Sequence, residues 1–136
     1  MSRSKEDYLR FLKSDQKALG AFTRYPLLAD NLMILMTAPC WKFQKVLRRL
    51  EYYINCKHSC INIPYIIFLK KIFINMSINF YFSIPTNVFD ECLAIVHYGS
   101  IIVNRHAKIG KNCTIHSVVN ISGGTQRAKS LETIAS

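Results

Sequence analysis

The strongest constraint on how this 136-residue chain can fold is a six-residue rhythm that begins at Ile95. Written in sixes, the sequence reads IVHYGS, IIVNRH, AKIGKN, CTIHSV and VNISGG. The third position of each hexad holds His97, Val103, Ile109, Ile115 and Ile121, and the first holds Ile95, Ile101, Ala107, Cys113 and Val119. VNI, CTI and IVH also alternate as ordinary strands do, but five successive hexads without an insertion favour the longer repeat. Such a repeat is the signature of a parallel β-helix, in which aliphatic side chains stack into a narrow core. Glycine or asparagine after the aliphatic position, as at Gly110, suits the turns because both tolerate positive φ.

The residues before the repeat follow a helical period. Ser4 with Asp7 resembles a capping box, and Tyr8, Leu9, Phe11, Leu12 and Leu19 form a stripe that ends at Gly20. Tyr25-Pro26 then separates a short segment, Leu27 to Met36, and Ala38-Pro39 predicts a second break. Between Trp41 and Asn55, apolar residues recur at three- and four-residue steps, with Lys42, Lys45, Arg48 and Arg49 expected towards water. Another helix is expected from near Pro64 to about Asn79. The chain therefore divides into a helical region over 1–81, a repeat region over 82–124 and a loop or disordered tail over 125–136.

Half of the residues are hydrophobic, which excludes a disordered basic tail even though Lys and Arg exceed Asp and Glu by a formal net charge of +10. The charge is concentrated at the two ends, with 11 basic against 5 acidic residues over 1–60, 2 against 2 over 61–100, and 5 against 1 over 101–136. No nucleic-acid reading motif accompanies it, so nucleic acid is not an expected partner. Five cysteines without framework spacing, and an N-terminus without a signal-peptide core, predict a cytoplasmic protein. Ile61 to Pro85 is apolar enough to suggest a membrane span, but Lys70 and Lys71 at its middle would each cost roughly 2.5–3.5 kcal/mol in a bilayer. No transmembrane span is expected.

The segment IPTNVFDECLAIVHYGSIIVNRHAKIGKNCTIHSVVNI, residues 84–121, resembles the start of the left-handed β-helix of the serine acetyltransferase family of hexapeptide acyltransferases. IVHYGSIIVN resembles that family's catalytic-histidine segment, and AKIGKNCTIH with VNIS its next coil. DYLRFLKSD and the RRLEYY run are similar to the helical region that precedes it. The resemblance implies an α+β fold, helical first and then the opening coils of a left-handed parallel β-helix. It also implies acetyl transfer from acetyl-CoA to a hydroxyl, His97 as general base, no metal, and assembly as a homotrimer or a multiple of trimers.

Three departures bear on function. The upstream position where the family places an acid to orient the histidine falls at Phe82, beside Ser83, while Asp90 and Glu91 occupy a turn closer by. The acid that helps hold serine, just before the histidine, is Val96 here, which favours a sugar hydroxyl as acceptor. Five hexads at three per coil give fewer than two coils, so the chain resembles a truncated member, and a non-catalytic oligomerising fragment is the alternative to an enzyme. Elsewhere, Cys56, His58 and Cys60 lack a second ligand pair and are expected to be ordinary residues at a helix end, and His106 and His116 are expected in solvated turns.

Overall fold

A computed structural model describes residues 2–20 and 30–122. The break at Tyr25-Pro26 and the tail over 125–136 lie outside the described residues. Helix α1 spans Lys5–Gly20. Ser4 Oγ accepts the Asp7 amide at 3.1 Å, and Asp7 reaches back to accept the Arg3 amide at 3.2 Å, so the first turn is capped from both sides. Helix α2 spans Asp30–Cys56 and runs through Pro39, where a break was expected. Proline removes one intrahelical hydrogen bond, but the following turn is held in place by Cys40 and Phe43, both fully buried. Helix α3 spans Ile63–Phe80, opens with proline in its first turn, and ends at Tyr81, a left-handed residue with φ 58°.

Five strands follow among the described residues: β1 (Phe82–Ser83), β2 (Ala94–Ile95), β3 (Ile101–Val103), β4 (Thr114–Ile115) and β5 (Val119–Ile121). They sort into two small parallel sheets, β1-β3-β5 and β2-β4, with a lone bridge between Phe89 and Ile109. The left-handed β-helix expected over 82–124 is therefore corrected: after three helices, the described residues form two separate sheets of strands two or three residues long. The register supplies the reason. Val103 pairs with Ile121 as the hexads require, but Ile95 pairs with Ile115 rather than with Cys113. The regular frame slips by two residues between Ile95 and Val103, and no single six-residue repeat runs through the whole region.

Aliphatic stacking is nevertheless what fills the interior. Ile95, Ile101, Val103, Ile109, Ile115 and Ile121 are all buried, in one cluster with Phe43 and Leu47 of α2. Phe43 lies against Phe73 of α3 and Phe82 of β1, at 5.2 and 4.9 Å between ring centroids. The helices thus cover the open side of the strands.

They also satisfy its backbone. The Gln44 side chain acts as one peptide unit of a missing neighbour strand: its Nε2 donates to the Leu93 carbonyl at 2.8 Å and its Oε1 accepts the Ile95 amide at 2.9 Å. On the other edge of β2, the Ala94 and Val96 amides donate to Cys113 and Ile115. Arg48, expected in water, is 1% exposed. It donates to Asp15 at 2.7 Å, to Glu51 at 3.1 Å, and to the carbonyls of Phe89 and Asp90 at 2.9 and 2.6 Å. Asp15 in turn accepts the Leu93 amide, and Glu51 the Asn87 amide. A buried donor or acceptor left unmet costs about 1–3 kcal/mol, so this set of contacts is what allows a sheet edge to lie under helices.

Candidate functional site

His97 lies in the two-residue slip. Its neighbours along the chain, Ile95 and Val96, are 0% and 3% exposed, whereas His97 itself is half-buried and Tyr98 is 49% exposed. The aliphatic column that the hexads assign to His97 is filled by Ile95 opposite Ile115. The histidine therefore does not interrupt the core; it stands on the extra segment that the slip pushes outward.

Gly99 makes that segment possible. Its φ of 155° is a conformation that side chains disfavour, and a Cβ there would meet the Ser117 Cβ at 2.9 Å. The close approach draws the His97–Gly99 turn onto the turn after β4. Across it, the ring of His97 lies 6.0 Å from that of His116, centroid to centroid, with the planes 41° apart. His116 is exposed, as expected, but the sequence did not place it beside His97. On the other side, the Tyr98 ring lies 6.1 Å from Phe80 at the end of α3.

Among the described residues, no carboxylate forms an ion pair with either histidine. Phe82, at the upstream position, is 5% exposed and packed in the core. Asp90 accepts the Glu91 amide through its own side chain, and Glu91 is ion-paired with Lys111 at 2.6 Å and Arg10 at 3.2 Å. The hydrogen bond from Lys111 holds the Glu91 carboxyl below its usual range. The Asp90 carboxylate serves its own turn, and Glu91 ties α1 to the turn of Lys111.

His106 is exposed and, with Ser83, Ile84, Pro85, Val103, Asn104 and Arg105, lines an open groove of about 470 Å³. Cys56 is half-buried and Cys60 exposed, and no described group of three or more ligating side chains is placed to hold a metal ion. Burial pushes the thiols of Cys40 and Cys113 up to about 11, away from nucleophilic use.

No protein-family model, curated protein or solved structure matches this chain.

Proposed function

We propose that this chain is a serine acetyltransferase-like O-acetyltransferase that moves the acetyl group of acetyl-CoA to a hydroxyl, with His97 as general base. The observation that carries this reading is the segment IVHYGSIIVN, whose histidine is lifted off the aliphatic core and left accessible on a turn. The neutral imidazole takes the proton of the acceptor hydroxyl as the oxygen attacks the thioester carbonyl. The tetrahedral intermediate collapses with cleavage of the C–S bond, and the departing thiolate recovers the proton from the imidazolium. No covalent enzyme intermediate is involved.

Val96 supports a sugar rather than serine as acceptor. An acid before the histidine would bind the serine amine, and Val96 is instead apolar and 3% exposed. The test is release of free thiol from acetyl-CoA with serine or with sugar acceptors. Turnover in the parent that His97→Ala abolishes supports the reading; a parent inactive with both acceptor classes overturns it in favour of a non-catalytic oligomerising module.

A further inference from the structure

Helix α3 is largely apolar apart from Lys70, Lys71, Asn75, Ser77 and Asn79, yet among the described residues only one side of it meets its neighbours. Ile66 and Leu69 are buried, and Phe73 and Tyr65 lie 5.2 and 4.7 Å from Phe43 and Tyr53 of α2. The opposite side leaves Ile67, Phe68, Ile74 and Ile78 between 55% and 67% exposed, and Ile61, 89% exposed, extends it past the N-terminal end. Exposed apolar surface of this extent marks a contact site.

Three covers are physically distinct, and Lys70 and Lys71, exposed at the middle of this side, separate them. The helix is long and apolar enough to cross a bilayer. Crossing would bring both ammonium groups to the hydrocarbon midplane and pull Phe73 off Phe43. Two-fold pairing with a second copy would set the lysine pair of one α3 against that of the other. A bilayer surface rich in anionic lipid meets neither obstacle: the ammonium groups reach lipid phosphates while their stems and the isoleucines enter the headgroup boundary.

We propose that the exposed side of α3 docks on anionic lipid, with the helix lying in the plane of the membrane and not crossing it. Helix α3 carries no acidic residue to oppose this, and the net charge of +10 adds long-range attraction to an anionic leaflet. The proposal stands independently of acetyl transfer.

The test is co-sedimentation of the purified full chain with vesicles of phosphatidylcholine alone or mixed with phosphatidylglycerol. The chain is expected to sediment with the mixed vesicles only, and less as salt is raised. At about 1 kcal/mol per basic residue near the surface, Lys70→Ala with Lys71→Ala weakens binding roughly 30-fold. Ile67→Ser, Ile74→Ser and Ile78→Ser together abolish it with an unchanged circular dichroism spectrum. Equal binding to uncharged vesicles, no binding to either kind, or a double lysine variant that binds like the parent overturns the proposal. So does an oligomer in sedimentation equilibrium that the triple serine variant dissociates, because a second copy then covers the face.

Discussion

His97 and His116 hold their imidazole rings 6.0 Å apart, on turns that follow two strands paired in parallel. The two residues are brought together by Gly99 lying on Ser117, so the pair belongs to the backbone register rather than to contacts between the side chains. Under the acetyl-transfer reading, the two are expected to contribute unequally. His97→Ala loses the general base and about 10²–10⁴ in turnover, whereas His116→Ala retains measurable activity with a smaller loss. Thiol release by both variants, with the exposed His58→Ala as control, checks this. Equal loss on removing either ring would mean that the assignment of the base to His97 alone is wrong.

Gly99 itself gives a stability prediction. Gly99→Ala adds a methyl group where φ is unfavourable and Ser117 is in the way, and is expected to cost about 1–3 kcal/mol. Gly110 has nothing within 4 Å of the position a Cβ would take, so Gly110→Ala is expected to stay within about 0.5 kcal/mol of the parent. Urea denaturation of the two variants distinguishes them. Adding Ser117→Gly to Gly99→Ala relieves the contact but not the backbone, and recovers part of the loss.

The Arg48 network is expected to be the most sensitive point of the core. Arg48→Met leaves Asp15 and Glu51 buried without their cation and costs about 3–5 kcal/mol at neutral pH. Burial raises the carboxyl groups of both acids, and Arg48 only partly opposes it. For Glu51, the folded state therefore holds its proton more tightly than the unfolded state. Its contribution to stability is complete below its ordinary value of 4.5 and is lost as pH rises through the folded value. Two outcomes follow in urea titrations: the deficit of Arg48→Met shrinks towards acid pH, and Glu51→Gln flattens the decline that the parent shows above pH 4.5. A deficit that grows on acidification would contradict the assigned sign.

Gln44→Leu keeps the approximate size of the side chain but withdraws both partners of β2. The Leu93 carbonyl and the Ile95 amide are then left unmet, at a cost of about 1–3 kcal/mol each. Amide hydrogen exchange provides the local readout, with Ile95 losing protection in the variant before the β3 amides do.

Much of the local structure was legible because it depends on neighbours in sequence. Ser4, Asp7 and Gly20 mark the ends of a helix found at Lys5–Gly20, and Pro64 and Asn79 nearly bound the one found at Ile63–Phe80. The hexads picked out Val103, Ile109, Ile115 and Ile121, all buried. The turns were less legible. Positive φ occurs at Asn112 rather than at Gly110, and Cys92 and Val118 adopt it without any sequence signal.

The candidate site was half visible. The hexads place His97 in the aliphatic column, but Ile95 occupies that place opposite Ile115 and His97 stands outside it. Sequence spacing counts residues along one chain, whereas the column is defined by which residue faces which across two strands. A slip of two residues preserves the alternation of inward and outward side chains, so the pattern alone does not betray it.

Arg48 shows the same limit in the helices. By sequence it belongs with Lys42, Lys45 and Arg49, and those three are exposed. The buried side of α2 runs instead through Cys40, Phe43, Gln44, Leu47, Arg48 and Glu51. A helical period identifies a side; whether a polar residue can lie on it depends on partners distant in sequence, here Asp15 and the backbone of 87–95.

The sequence by itself determined the helical first part, the aliphatic residues of the strand region and the histidine worth testing, because capping, helical period and stacking positions are properties of short stretches. Only the tertiary structure decided that the strands form two small parallel sheets, that His97 meets His116, and that polar side chains of α1 and α2 close the open edge of β2. Those outcomes depend on hydrogen bonds and contacts between residues far apart in the chain, whose energies exist only once the segments have been brought together.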